Sequence, residues 1–237
     1  MKSKFIHLRP EILNCKGEDK PWPQSIRQAR FRPKGRKSGR LITFEGSEGC
    51  GKSTQSGMLF SYFKAKGAKV IYLREPGGVR LSEMIRKILL DPKSRISAQA
   101  ETLLYMAARA QVVEEIIKPA LEAKKIVICD RFLDSTIAYQ GFGLGIDIKL
   151  IKSLGSFATQ GIKPDLTIFL DLPIKSGLKH RHNCQDRIEQ RCLSYHQKVR
   201  RGYLALARQE PQRIRRVKVL EDKFKTQEHI RGMVNAL

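Results

Sequence analysis

Short apolar runs alternate with longer segments of helical periodicity along most of this 237-residue chain. From Leu41 onward each apolar run has the length expected for a strand that is covered on both faces of a parallel sheet. The runs predict strands at Leu41–Phe44, Val70–Leu73, Ile126–Cys129, Leu166–Leu170 and Val217–Leu220. Strands that alternate with helices in this way indicate an α/β fold.

The segments between the strands place apolar residues three and four positions apart, which is the spacing of an amphipathic helix. They predict helices at Lys52–Lys66, Leu81–Leu90, Ala98–Ala123, Asp147–Thr159, Ile174–Arg181, Gln190–Arg208 and Gln227–Ala236. The third is the longest, and its apolar residues from Leu103 to Ile117 fall near one stripe. The chain is long enough to bury a core as one domain.

The first 40 residues follow neither pattern. Basic residues crowd the run from Arg27 to Arg40, and prolines interrupt any periodicity at Pro10, Pro21, Pro23 and Pro33. We therefore expect a basic extension over residues 1–40, disordered or loosely attached, ahead of a folded domain over residues 41–237. A transit peptide is the alternative, because acidic residues are few here, but the prolines and the acidic residues that do occur fit one poorly.

The formal net charge of +23 exceeds what the binding of an anionic substrate requires. A nucleic-acid partner is one explanation. The charge is not confined to one patch, however, because it is dense in the first 40 residues, at Lys198–Arg201 and at Arg213–Lys218. We assign most of it to solvated helix faces, and we expect only nonspecific nucleic-acid contact by the extension.

The cysteines and the apolar runs bear on the compartment. The chain has 5 cysteines, an odd number that does not resemble a disulfide framework and suits a reducing cytoplasm. No apolar run approaches the roughly 20 residues of a membrane-spanning helix. The N-terminus lacks the apolar segment of a secretory signal. We therefore expect a cytoplasmic protein without a membrane partner.

Directly behind the first predicted strand, Gly46–Thr54 reads GSEGCGKST and matches the phosphate-binding pattern G-x-x-x-x-G-K-[ST] at every fixed position. Its glycines let the backbone fold tightly, so that successive N–H groups point at phosphate oxygens. Lys52 adds a mobile positive charge, and Ser53 offers a hydroxyl to Mg²⁺. The residues expected to bind nucleotide phosphates are Gly46, Ser47, Glu48, Gly49, Cys50, Gly51, Lys52, Ser53 and Thr54. A chance match predicts neither the preceding strand nor the amphipathic helix that follows.

Two further clusters stand at the ends of predicted strands, where ligands of open α/β sheets bind. Arg74 opens the run Arg74–Gly78 and can reach a phosphate, although an ordinary turn with a surface ion pair is the alternative. Asp130 and Arg131 directly follow the third strand. An acid there can hold Mg²⁺ or its waters, and Arg131 can clamp an anion with two N–H groups. A structural ion pair is the alternative for both residues.

Two more clusters carry groups that suit a nucleobase. Tyr105 and Arg109 are four residues apart on the long helix and share a face. The ring can stack on a base while the guanidinium donates to it. Without the context of the other motifs, a core aromatic beside a surface cation is the better explanation of the pair. Ser135–Gly141 collects hydroxyl, phenol and amide groups that can bind a polar small molecule. N-capping by Ser135 is the competing explanation.

These motifs occur in the order and spacing of the thymidylate kinases, which the sequence resembles from about Gly39 to Leu204. They are FEGSEGCGKST, REPGG, the helix LLYMAARAQ, CDRFLDSTIAYQG and DRIE at Asp186–Glu189. The resemblance implies transfer of a phosphate group from ATP to dTMP with Mg²⁺, giving dTDP and ADP. It also implies a P-loop nucleoside monophosphate kinase fold in a homodimer, with a parallel sheet of five strands, flanking helices and a short lid.

The resemblance also implies roles for individual residues. Ser53 and Asp130 fall at positions associated with Mg²⁺, and Glu48 matches the loop acid that faces the dTMP sugar. The implied dTMP contacts are Arg74 and Arg131 at the phosphate, Tyr105 stacked on the base, Arg109 at the base edge, and Ser135 and Gln140 as further base contacts.

The segment from about 179 to 190 resembles the mobile lid of this family, although it is shorter than in many members. Where the phosphate loop lacks an arginine, as in bacterial-type members, lid arginines approach ATP instead. This loop has none, so the candidate catalytic residues are Lys52, Arg131, Arg181 and Arg187. The first 38 residues have no counterpart in the family pattern.

Three rival hypotheses remain. A sister kinase for a different nucleoside monophosphate would share the fold, but Tyr105, Arg109 and the run 135–141 favour thymidylate. A P-loop protein that binds nucleic acid would need an ATPase activity stimulated by DNA or RNA. A zinc module would use His180, His182, Cys184, Cys192 and His196, whose spacing misses the usual paired-ligand patterns.

Overall fold

A computed structural model describes residues 39–179 and 186–237 of the chain. Its sheet has five parallel strands in the order β2-β3-β1-β4-β5. The strands are β1 Arg40–Glu45, β2 Val70–Arg74, β3 Ile126–Asp130, β4 Leu166–Asp171 and β5 Ile214–Lys218. The predicted α/β class and parallel sheet are confirmed. The predicted extension over residues 1–40 lies outside the described residues as far as residue 38. Its predicted boundary is too late, because Arg40 belongs to β1 and pairs with Ile126.

The helices follow the strands in the predicted order. They are α1 Lys52–Ala65, α2 Arg80–Leu90, α3 Ala98–Val112, α4 Lys118–Glu122, α5 Leu133–Thr136, α6 Ile148–Ala158, α7 Ile174–Lys179, α8 Leu193–Gln209 and α9 Lys223–Asn235. A π-helical segment, Val113–Ile117, joins α3 to α4, so the predicted long helix is continuous. A second π-helical segment, Ile137–Gly143, continues α5.

Both faces of the sheet are covered, because alternate strand residues enter different clusters. Ile42 and Phe44 of β1 pack with residues of α1 and α9, whereas Leu41 packs with the region where α3 meets α4. Phe169 of β4 contributes to a further cluster with α6 and α8. No helix within residues 39–179 and 186–237 is both long and apolar enough to span a bilayer.

The fifth strand begins earlier than predicted. It starts at Ile214, and only Ile214 and Val217 of its residues are buried. Arg215 and Arg216 are exposed on this edge strand, which pairs with β4 alone. Charged side chains suit an exposed edge, and here they hide the start of the strand from a search for apolar runs.

The helical segment from Leu133 to Gly143 was missed because its residues lack an amphipathic pattern. Close packing on α8 explains it. A methyl group on Gly143 would meet the ring of Tyr195 at 2.5 Å, and one on Gly202 would meet the ring of Phe142 at 2.8 Å. The two glycines let the backbones approach, which is a tertiary effect that local periodicity does not encode.

Candidate active site

A cleft of about 1100 Å³ opens at the carboxyl ends of β1, β2 and β3, where parallel α/β sheets bind their ligands. The sequence-predicted residues that line it are Glu48, Gly49, Cys50, Gly51, Lys52, Ser53, Thr54, Arg74, Tyr105, Asp130, Arg131, Ser135 and Gln140. Gly46, Ser47, Arg109 and Arg187 lie outside this lining, and Arg181 lies outside the described residues. The fold therefore gathers most of the predicted residues around one volume.

The phosphate loop, Gly46–Thr54, connects β1 to α1. Gly49 has a φ of 70°, and a methyl group there would meet the carbonyl oxygen of Gly177 at 2.0 Å, so only glycine fits. Lys52 is 7% exposed, and its Nζ donates to the carbonyl oxygen of Ser47 at 2.8 Å. The N-terminus of α1 begins at Lys52, which places the positive end of a helix dipole beside the loop.

Ser53 and Asp130 meet at the end of the loop. The Ser53 Oγ donates to the Asp130 Oδ2 at 2.5 Å, because β3 lies next to β1 and ends at Asp130. A hydroxyl and a carboxylate are the hard oxygen ligands that Mg²⁺ accepts, together with waters and substrate phosphates. No group of three or more metal-binding side chains occurs in the described part of the chain. The predicted role of Ser53 and Asp130 at Mg²⁺ stays a prediction.

Arg131, which directly follows β3, forms the centre of a second wall of the cleft and is paired with Glu48 of the phosphate loop. The Arg131 Nη2 lies 2.7 Å from the Glu48 Oε1, and the guanidinium stands 5.0 Å from the ring centre of Tyr139. The Tyr139 hydroxyl donates to the same carboxylate oxygen at 2.6 Å. Burial alone would raise the pKa of Glu48, but Arg131, Lys52 and the Tyr139 hydrogen bond outweigh it and lower that pKa to about 2. Glu48 is therefore an anion.

Glu45 is a second carboxylate, fully buried, that the sequence analysis missed. Its Oε1 accepts from the backbone N–H groups of Phe132 at 2.8 Å and Ser135 at 3.3 Å. Its Oε2 accepts from the Ser135 hydroxyl at 2.6 Å and the Tyr203 hydroxyl at 2.9 Å. Burial and the nearby Asp134 raise the pKa of Glu45 to about 7. An acid at the end of an otherwise buried strand was the available signal.

The predicted base-binding residues separate into two layers. Tyr105 lines the cleft, and burial raises its pKa to about 12. Gln140 also lines it and donates to the buried Glu101 at 2.9 Å. Arg109 is only 2% exposed and lies behind them, donating to Glu75 at 2.8 Å and to Thr136 at 3.0 Å. Its predicted contact with the base edge stays a prediction.

Arg187 points toward the junction of α2 and α3. Its guanidinium forms an ion pair of 2.6 Å with the buried Glu101, and its Nε donates to the carbonyl oxygen of Leu89 at 2.9 Å. Arg191 contacts the same Glu101 oxygen at 2.6 Å. The segment that follows residues 180–185 is thus fixed to the end of the cleft that holds Gln140.

Arg86 adds a cation that the sequence analysis did not single out. It lines the cleft beside Arg74, and it donates to the carbonyl oxygen of Pro76 at 3.0 Å. Burial and the positive charge of Arg74 lower its pKa. The signal was its place beside the buried stripe of α2, which includes Ile85 and Leu89. Arg74 itself is partly exposed and lies 3.7 Å from Glu83.

The zinc hypothesis concerns residues that the structure describes only in part. His180, His182 and Cys184 lie outside the described residues. Cys192 is exposed, whereas His196 is buried on α8. Because Cys192 is exposed and His196 lies in the core, these two side chains give the zinc hypothesis no support.

A glycine-rich loop at the end of the central strand, a lysine at the start of the following helix and an acid at the end of the neighbouring strand define a P-loop nucleotide-binding protein. The parallel sheet of five strands and the fold shared with a solved thymidylate kinase assign it to the nucleoside monophosphate kinase fold. The family model described as thymidylate kinase matches residues 44–230. This chain belongs to the thymidylate kinase family, and it is an enzyme that transfers a phosphate group to dTMP.

Known relatives agree with that assignment. The chain is 49% identical over 184 residues to the thymidylate kinase of Geotalea uraniireducens, which covers 74% of this chain and 86% of the relative. It is 52% identical over 182 residues to that of Geotalea daltonii, covering 73% and 85%. The crystal structure of thymidylate kinase from Ehrlichia chaffeensis superposes with a TM-score of 0.70 at 32% identity, covering 83% of this chain and 98% of that one.

Proposed function

We propose that this enzyme transfers the terminal phosphate of ATP directly to dTMP, giving dTDP and ADP, with Mg²⁺ held by Ser53 and Asp130. The observation that carries the proposal is that Lys52, at the start of α1, and Arg131, after β3, line the same cleft. One cation can then serve the donor and the other the acceptor. Transfer between two aligned phosphates needs positioning and charge neutralisation, and no covalent enzyme intermediate.

The donor side is assigned to the phosphate loop. The N–H groups of Gly49 and Gly51 and the Nζ of Lys52 bind phosphate oxygens, and Lys52 exchanges its hydrogen bond to the Ser47 carbonyl for one to the phosphate. When bound, Mg²⁺ would neutralise charge on the transferring phosphate group. Ser53 and Asp130 support this assignment because their oxygens already lie in contact.

The acceptor side is assigned to the part of the cleft that is lined by Arg131, Arg74 and Tyr105. Arg131 and Arg74 hold the dTMP phosphate, and Tyr105 stacks on thymine. The remaining roles are a sugar contact by Glu48, base contacts by Ser135 and Gln140, and a contact at the base edge by Arg109. The support is that Glu48, Ser135 and Gln140 all line the cleft beside Arg131 and Tyr105.

Two arginines stay proposed as lid residues that act on ATP. Arg181 lies outside the described residues. Arg187 would have to leave Glu101, its partner at 2.6 Å, before it could reach a donor phosphate. Because Arg187 is held by this ion pair, we propose Arg181 as the residue that acts on the donor phosphate. Arg181→Ala should lower kcat more than Arg187→Ala, and the reverse order would assign the donor role to Arg187.

A coupled assay of ADP release across the nucleoside monophosphates tests the function. We expect dTMP to be the best acceptor, dUMP a poorer one, and AMP, CMP and GMP far poorer, with activity abolished by chelation of Mg²⁺. A strong preference for another monophosphate would overturn the dTMP assignment and leave the fold intact. An ATPase activity stimulated by DNA or RNA would support the nucleic-acid hypothesis instead.

We also propose a homodimer. Large apolar side chains are exposed on three neighbouring helices, among them Met84 of α2, Leu103 of α3 and Phe157 of α6, the last 85% exposed. A monomer rarely leaves such a surface open to water. Light scattering should give a dimer for the full chain and a monomer for Phe157→Arg with Met84→Glu. An unchanged mass would move the interface elsewhere.

A cytoplasmic location is part of the same proposal. Cys50, Cys129 and Cys192 are free thiols, which suits a reducing compartment. Fractionation of the source cells tests it, and recovery of the enzyme with an oxidising compartment would overturn it.

A further inference from the structure

Glu45 is the last residue of β1, directly ahead of the phosphate loop, and it lies outside the cleft lining. Its carboxylate contacts neither the loop nor any cation directly among the hydrogen bonds of the described residues. Instead its four donors are the backbone N–H groups of Phe132 and Ser135 and the hydroxyls of Ser135 and Tyr203. Phe132 directly follows Arg131, and Ser135 belongs to α5, which begins at Leu133.

Arg131 has a backbone conformation that needs support. Its φ is 74°, in the left-handed region that residues other than glycine rarely adopt. Such a residue persists only where the surroundings over-determine it. On its N-terminal side the Arg131 N–H donates to the Phe44 carbonyl at 3.0 Å, and on its C-terminal side Glu45 binds the next N–H, that of Phe132. Neighbouring residues of β1 therefore hold the turn from both sides.

The side chain of Arg131 is connected to Glu45 as well. The Ser135 hydroxyl donates to Glu45 at 2.6 Å and lies 3.3 Å from the Arg131 Nη1 as an acceptor. Glu45 thus fixes the orientation of the oxygen on which one arm of the guanidinium rests. Glu48 holds the other arm at 2.7 Å.

We propose that Glu45 is a positioning residue, which sets the backbone turn and the guanidinium of Arg131 for the acceptor phosphate. The inference rests on the proposed role of Arg131 at the dTMP phosphate. Glu45 touches no substrate in this assignment. It acts through the Phe132 and Ser135 N–H groups and the Ser135 hydroxyl.

The chemistry explains why the position is an acid. Two N–H groups and two hydroxyls converge on Glu45, and a carboxyl group has two oxygens with which to bind them all. A fully buried carboxylate is costly where no cation contacts it, and the raised pKa of Glu45 reflects that cost. An apolar residue would suit this buried strand better, so the acid is explained by the N–H groups and hydroxyls that it binds.

A role confined to anchoring α8 is the competing explanation, because Tyr203 belongs to that helix. The Tyr203→Phe variant separates the two. It removes both hydrogen bonds of the Tyr203 hydroxyl, to Glu45 and to the Ser135 hydroxyl at 2.8 Å, and leaves the two N–H bonds and the bond from Ser135 to Glu45 in place. If Glu45 serves α8 alone, Tyr203→Phe should reproduce the defect of Glu45→Ala.

The test is a double-mutant cycle in the full chain with Glu45→Ala and Arg131→Ala, read as KM for dTMP, KM for ATP and kcat. We expect Glu45→Ala to raise the KM for dTMP roughly 10-fold or more and to leave the KM for ATP within about twofold. The double variant should be no worse than Arg131→Ala alone. Glu45→Gln, which keeps an acceptor for the N–H groups, should recover most of the loss, and Tyr203→Phe should change the KM for dTMP less than about threefold.

Three outcomes would overturn the inference: equal changes in both KM values, a defect copied by Tyr203→Phe, or additive effects in the cycle. The proposed function would still stand if Arg131→Ala showed a loss specific to dTMP. A normal KM for dTMP in Arg131→Ala would overturn both. If Glu45→Ala does not fold, as judged by circular dichroism, Glu45→Gln takes its place in the cycle. Its smaller loss must then be specific to dTMP and absent in the Arg131→Ala background.

Discussion

The two walls of the cleft hold their main cations in different ways. Lys52, on the wall of the phosphate loop, donates to a backbone carbonyl at 2.8 Å and forms no ion pair with a carboxylate in the described part of the chain. Arg131, which follows β3, is paired with Glu48 of the phosphate loop at 2.7 Å and rests on Ser135. Lys52 acts on Glu48 only from a distance, whereas Arg131 is in direct contact with it and is oriented by it.

This difference matches the two kinds of cation. Lysine is a compact charge on a flexible stem, so it can follow a phosphate group as the group moves. Arginine presents a rigid planar fork, so its value depends on the direction in which it is held. Glu48 therefore pairs with the arginine, which needs orientation. The lysine is held only by a backbone carbonyl, which it can exchange for a phosphate oxygen.

Glu45 and Glu48 repeat the contrast within one short stretch. Glu45 is fully buried and Glu48 is partly buried, yet the pKa of Glu48 is lowered to about 2 and that of Glu45 is raised to about 7. Arg131 contacts Glu48 directly, whereas Glu45 receives only neutral donors and faces Asp134. The contacts of each carboxylate, rather than its position in the sequence, decide the sign of the shift.

The largest effect is expected from the loss of Lys52 in the phosphate loop. Lys52→Ala should lower kcat by about 10²–10³-fold, because removal of a preorganised charge at the transferring group costs that much in comparable sites. Folding should be retained, since Lys52 has no role in the core. Lys64→Ala, on the exposed face of α1, is the matched control and should leave kcat unchanged. A folded and nearly fully active Lys52→Ala would refute the phosphate-loop assignment.

Breaking the acceptor wall should have a smaller and more selective effect. Arg131→Ala should weaken dTMP use by ~2–3 kcal/mol, the contribution of a charge-assisted bond, with little change in ATP affinity. Steady-state kinetics with each substrate varied in turn measures this. Arg208→Ala, an exposed arginine of α8, serves as the control. Lost ATP affinity with intact dTMP kinetics would place Arg131 on the donor side.

Titration sharpens the contrast between the two carboxylates. The folded-state pKa of Glu48 lies below its ordinary value of 4.5, so its contribution to stability is complete above pH 4.5 and is lost as the pH falls toward 2. A shift of that size corresponds to about 3 kcal/mol. The free energy of unfolding of the native chain should therefore exceed that of Glu48→Gln most at pH 5–6, and the gap should close in acid.

Glu45 should behave in the opposite sense, because its folded-state pKa lies above 4.5. The neutral form is the one that folding favours, so its contribution is complete below pH 4.5 and is lost as the pH rises through about 7. The stability gap between the native chain and Glu45→Gln should shift against the native chain over that window. Parallel pH profiles for the two variants would contradict the contrast between the two acids.

The smallest expected effect concerns the extension. A chain that starts at Ser38 should keep both KM values and kcat within about twofold, because it retains Gly39, whose N–H donates to the Leu121 carbonyl, together with β1 and the phosphate loop. It should lose any salt-sensitive retention on nucleic acid. Loss of activity or of folding on truncation would make the extension an integral part of the domain.

The sequence alone determined the features that are local. The phosphate loop is one contiguous run whose glycines and lysine fix its own backbone and charge, so its place after β1 followed directly from the pattern. The apolar runs located β1 to β4 to within a residue or two, because strands buried on both faces leave a continuous apolar signal.

The tertiary structure decided everything that depends on a distant partner. Glu45 meets Tyr203 across 158 positions, and Glu101 meets Arg191 across 90, so no local pattern could pair them. Arg109 fits a base-edge motif by sequence, yet the fold surrounds it with the acceptors Glu75 and Thr136. A side chain's charge, direction and pKa depend on the groups that packing brings against it, and local sequence does not specify those groups.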